Sequence, residues 1–138
     1  AMTDPEKGKQ LFIKNCAACH RIGRDGHMVG PQLDGIGNRG LERILEDILD
    51  PNRNVDVAFR TSTFITSAGK VITGLPQARE GEVIVVVDSQ GKKARLPASE
   101  VKETRAGNLS LMPAGLGDAI KDQELYDLLA WLLLRKQT

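Results

Sequence analysis

The chain has 138 residues, 41% of them hydrophobic, which suits one domain of common size with a core of its own. Lys and Arg number 19 against 18 Asp and Glu, so the charge balance calls for neither nucleic acid nor an anionic lipid surface as partner. No apolar run approaches the length of a bilayer span, and no low-complexity tail or signal peptide is seen.

The first element is a helix. Asp4 is placed to cap it, Pro5 takes the first helical position, and Gly8, Leu11, Phe12 and Cys16 recur along one face. This helix delivers Cys16-Ala17-Ala18-Cys19-His20, which gathers both cysteines of the chain and one of its 2 histidines into five consecutive residues. The pattern is that of covalent haem c attachment. Each thiol adds across one vinyl group of the porphyrin, and the adjoining histidine ligates the iron.

Other uses of these residues compete with that reading. A redox dithiol would need a strand, a turn and a helix around it, whereas the motif here follows a helical pattern. A zinc site could count Cys16, Cys19, His20 and His27, yet the side chains of adjacent Cys19 and His20 diverge and close a tetrahedron poorly. A disulfide from Cys16 to Cys19 would constrain little chain. Aromatic residues make up only 4% of the sequence, and a flat apolar cofactor would supply the missing bulk at the centre of the core.

Residues 21–40 are rich in glycine and read as a loop wrapped closely around something. Leu41, Ile44, Leu45, Ile48 and Leu49 mark a second amphipathic helix, stopped by Pro51. The period then changes. Thr61, Thr63 and Ile65 alternate across a strand, Ser67-Ala68-Gly69-Lys70 turns, and Val71 to Leu75 continues. Val83 to Val87 is a second apolar run, ended by Asp88-Ser89-Gln90-Gly91, with Lys93 to Leu96 returning beside it. This segment carries more basic than acidic residues. The last helix starts near Asp122 and buries Leu125, Leu128, Leu129, Trp131 and Leu132.

On these motifs the chain resembles the small class I cytochromes c over residues 4–57 and 106–134. The resemblance implies terminal helices that cross, with Gly8 and Phe12 facing Leu128 and Trp131. It implies one covalent haem c per chain and electron transfer, not catalysis. In Gly30-Pro31-Gln32-Leu33 it assigns the Pro31 carbonyl to the imidazole of His20 and Leu33 to the ring edge. Asn38 and Arg39 stand where the family places a propionate partner. The distal iron ligand is expected from Met112, in Leu111-Met112-Pro113 ahead of the last helix. His27 and Met28 follow His20 too closely to reach the opposite face easily, and Met2 lies near a flexible end.

The fold class expected is therefore a mainly α cytochrome c fold, α+β overall, with a small antiparallel β-unit inserted at about 58–104 of a single domain 1–138. That insert departs from the small cytochromes. Together with Leu49-Asp50-Pro51-Asn52-Arg53 it makes the chain similar to haem domains at the C-terminal end of large exported bacterial proteins of the planctomycete type, which follow a propeller or dehydrogenase-like portion. Partners implied are redox proteins or a fused or associated dehydrogenase. The implied location is the periplasm or another extracytoplasmic space, with an export signal removed and Ala1-Met2 an expression remnant. The rival reading is a haem enzyme or sensor with a labile distal ligand, in which His27 would supply acid–base chemistry.

Overall fold

A computed structural model describes residues 2–137. Its contacts divide the chain into two compact units, one from residues 1–54 and 113–138 and one from Val55–Met112.

The first unit is helical. α1 (Pro5–Asn15) begins where the Asp4 carboxylate accepts the Glu6 and Lys7 amides, with proline in the first turn. α2 (Leu41–Leu49) turns Ile44 and Ile48 inward. After a short helix, α3 (Leu116–Ala119), α4 (Asp122–Leu133) starts at Lys121, whose amide is accepted by Glu124.

α1 and α4 cross at Gly8. A Cβ there would lie 2.0 Å from the Asp127 carbonyl oxygen and 2.9 Å from the Trp131 Cβ, so only glycine lets the backbones approach this closely. The expected partner Leu128 is buried on the same helix, but the contact at Gly8 is with Asp127 and Trp131. One turn on, Phe12 is fully buried with its ring 5.2 Å from that of Trp131. Asp127 is buried too, and its carboxylate accepts the Asp4 amide at 2.8 Å and the Gln123 side chain at 3.0 Å. Those two bonds satisfy its Oδ1.

The second unit is a five-stranded antiparallel sheet. Its strands are β3 (Arg60–Thr66), β4 (Val71–Pro76), β5 (Val83–Val87), β6 (Lys93–Pro97) and β7 (Val101–Ser110), in the order β6-β5-β4-β3-β7. Two further strands, β1 (Arg21–Ile22) and β2 (Asp25–Gly26), form a separate two-residue ladder in the helical unit. Phe64, Ile84, Val86 and Leu96 pack together on one face of the large sheet. Val85 and Val87 are buried as well, so β5 is covered on both faces, as its unbroken apolar run requires. β7 is different: residues 102–109 are all exposed, and it is held through its pairing with β3.

The mainly α expectation holds only in part, and the α+β reading of the whole stands. Helix still exceeds strand, but the inserted sheet is larger than expected. The excess strand is largely β7, whose Lys102-Glu103-Thr104-Arg105 run has no apolar alternation.

Candidate functional site

The end of α1 shapes the cysteine motif. The Phe12 carbonyl accepts both the Cys16 and Ala17 amides, and the next turn closes with the His20 amide on the Cys16 carbonyl at 2.9 Å. Positions 16, 19 and 20 therefore stand on one tight turn that follows α1 directly.

His20 is held from two directions. Its Nδ1 lies 2.7 Å from the Pro31 carbonyl oxygen, which can only accept, so Nδ1 carries the proton and Nε2 keeps its lone pair. A Cβ on Gly30 would lie 3.1 Å from the imidazole Cε1, so the loop packs tightly against the ring's edge. Burial pushes the His20 pKa below the ordinary histidine value, against the opposing pull of the Pro31 bond. The ring is neutral at neutral pH, which is the form that binds a metal.

The cysteines are thiols. Burial, aided by the neighbouring Cys19, pushes the Cys16 thiol up to about 11. Among the described residues no group of three His, Cys, Asp or Glu side chains could hold a metal ion. Two thiols three residues apart, beside an imidazole offering Nε2, fit covalent haem.

The loop around His20 is ordered by the same few atoms. The Cys19 carbonyl accepts the Val29 amide at 3.0 Å and the Gly30 amide at 2.6 Å, and the Leu33 amide bonds to the Arg21 carbonyl at 2.9 Å. Cys16, Cys19, His20, Pro31 and Leu33 are accordingly brought together. Arg39 is not among them: it is half exposed and bonds Asp47 at 3.1 Å, sharing that carboxylate with Arg43. Asn38 donates to the Gln137 carbonyl.

The methionines separate by exposure. Met2 is 93% exposed and Met28 63%, with the Met28 sulfur facing the Arg21 guanidinium. Met112 is partly buried at the end of the β-unit, its amide bonded to the Ser110 hydroxyl at 3.0 Å. His27 is exposed, and its backbone amide bonds back to Ala17 and His20. Sequence reasoning did not single out Asp34, whose carboxylate accepts from Gly23 and Gln32, because a lone acid in a polar loop gives no signal.

The cytochrome c family signature matches residues 5–75. Cytochrome c2 of Rhodoblastus acidophilus is 37% identical over 76 residues, covering 51% of this chain and 70% of that protein. Cytochrome c2 iso-1 of Rhodospirillum centenum is 32% identical over 117 residues, covering 67% of this chain and 88% of its own. The chain belongs to the cytochrome c family.

A cytochrome c carries covalently bound haem c and transfers electrons. This chain is an electron carrier, and the enzyme or sensor alternative is not favoured. A third relative, a cytochrome c-553-like protein of Synechocystis, is 44% identical over 36 residues, a match of 26% of this cytochrome and 33% of the relative. No helix among the described residues is long and apolar enough to cross a membrane.

Proposed function

We propose that Cys16 and Cys19 would hold the haem, that His20 Nε2 and Met112 would ligate its iron, and that the protein passes single electrons between redox partners. The observation that carries this reading is the bond from His20 Nδ1 to the Pro31 carbonyl at 2.7 Å. It fixes the tautomer, aims Nε2 away from Pro31 and raises the basicity of the ligand. When bound, haem c supplies a one-electron iron couple.

The chain's own residues set the conditions for that couple. Phe12, Leu128, Leu129, Trp131 and Leu132 provide a dry interior in the unit that carries the cysteines. His20 stays neutral, so protons do not compete for Nε2 near pH 7. A thioether from Met112 favours the reduced state and hence a relatively high potential. Leu33 is read as a contact of the porphyrin. Arg39 is retained as a propionate partner only if it can leave Asp47, and an exposed pair of that kind is worth about 0–1 kcal/mol.

Residues 1–138 are read as one cytochrome domain interrupted by the β-unit. Its kinship with the haem domains of large exported bacterial proteins, a fused or associated dehydrogenase as electron donor, and a periplasmic setting belong to the same proposal. Leu49-Asp50-Pro51-Asn52-Arg53 and the inserted sheet support it.

Met112→Ala tests the ligand set. The haem should remain attached, the potential should fall and carbon monoxide should bind. A variant that stays low-spin and excludes carbon monoxide would return Met112 to a packing role.

A further inference from the structure

The loop that offers Pro31 to His20 is anchored on both sides. Upstream, the amides of Val29 and Gly30 both bond to the Cys19 carbonyl. Downstream, the Leu33 amide bonds to the Arg21 carbonyl, and a side chain completes the clamp: Asp34. One carboxylate oxygen of Asp34 accepts the Gly23 amide at 2.6 Å, and the other accepts the Gln32 side-chain amide. Gly23 sits in the β1–β2 hairpin, at a φ of 59° that suits glycine. Gln32 shares a peptide bond with the very carbonyl that His20 uses.

Asp34 therefore joins two segments that flank the imidazole. The hairpin follows directly from His20, and the strap from Pro31 to Leu33 carries the acceptor. We infer that Asp34 is a positioning residue for the axial histidine: its carboxylate, bridging Gly23 and Gln32, holds the Pro31 carbonyl on His20 Nδ1. The inference rests on His20 being the iron ligand.

The physical consequence runs through the ligand. A firm Nδ1–H···O=C bond makes the imidazole a stronger donor, which favours oxidised iron and lowers the potential. Slackening the strap weakens that bond, raises the potential and lets water reach the Nδ1 proton. The Asp34 charge acts separately, because removing a negative charge also raises the potential. Two variants separate these effects, since both Asp34→Ala and Asp34→Asn delete the charge but only Asn keeps an oxygen for Gly23 and a group for Gln32.

In the haem-loaded protein, the solvent exchange of the His20 Nδ1 proton is followed by NMR alongside the midpoint potential. Asp34→Ala should exchange about three- to tenfold faster than Asp34→Asn, as loss of an anchoring hydrogen bond implies, and its potential should rise further. Coincidence of the two variants in both readouts overturns the inference. Should Asp34→Ala fail to hold haem, Gln32→Ala removes one arm of the clamp while leaving Asp34 in place. Faster exchange there supports the inference, and unchanged exchange overturns it. A His20 ring proton without the shift that bound iron imposes would instead sink the ligation reading, and this inference with it.

Discussion

The helical unit and the β-unit solve the same problem by different means. The helical unit is assembled from the two ends of the chain, with Gly8 and Phe12 of α1 meeting Asp127 and Trp131 of α4 across more than a hundred residues of sequence. Its cysteine turn fits a cofactor. The β-unit is continuous in sequence, built from the β3–β4, β4–β5 and β5–β6 hairpins with β7 returning to pair with β3, and it packs Phe64, Ile84, Val86 and Leu96 into a cluster of its own. The difference teaches where the haem is needed: the first unit is closed by contacts more than a hundred residues apart, whose loop entropy must be offset, the second by hairpins and one return pairing of shorter span.

The sharpest way to break that comparison is to remove the attachment. Cys16→Ala with Cys19→Ala should abolish covalent haem, seen by haem staining after denaturing electrophoresis, and should collapse the amide protection of α1 and α4. Protection in β3, β4 and β5 should persist. Equal loss in both units would show that the sheet depends on the cofactor as well.

Paired core truncations come next. Phe12→Ala and Phe64→Ala each delete a buried ring and should each cost about 3–5 kcal/mol in chemical denaturation. Only Phe12→Ala should disturb the haem spectrum and potential. A spectral change of the same size from Phe64→Ala would erase the division of labour.

Acidification should reach the helical unit through His20. Burial holds the His20 pKa in the folded state below its unfolded value of about 6.5, so the unfolded chain takes up the proton first. Stability is then full above pH 6.5 and falls as pH drops from there toward the lower folded value. The low-spin spectrum should therefore begin to give way only as pH falls below about 6.5. An onset at or above 6.5 would contradict the burial of His20.

The smallest effect is expected from charge on the β-unit. Replacing Lys92, Lys93 and Arg95 by Gln should slow electron exchange with an acidic partner severalfold at low salt and leave the potential nearly unchanged. The effect should vanish as the screening length falls to about 8–10 Å near 0.1–0.15 M salt. Rates that are unaltered at every ionic strength would make the sheet mere cover. Part of any change will come from Glu80, which Arg95 pairs at 3.1 Å and which the substitution leaves uncompensated.

Much of this architecture could be read in advance where one face of an element is buried. Val83 to Val87 announced a strand because β5 is covered on both sides, and Leu125, Leu128 and Leu132 announced a helix because one face is buried. β7 could not be read so, since residues 102–109 face solvent and only the ladder to β3 makes them a strand. Asp127 escaped for the opposite reason. An acid on a helix reads as solvated until the N-terminal segment comes to lie against it.

What the sequence by itself pointed to was haem chemistry at Cys16, Cys19 and His20, because their spacing is set by the chain and survives any fold. It also determined the helix starts, which depend on nearest neighbours such as Asp4 and Pro5. Only the tertiary structure decided which proton His20 keeps, that Asp34 clamps the strap carrying its acceptor, and that Arg39 turns to Asp47. Those outcomes rest on hydrogen-bond partners brought from elsewhere in the chain, and short hydrogen bonds depend on distances that no linear spacing specifies.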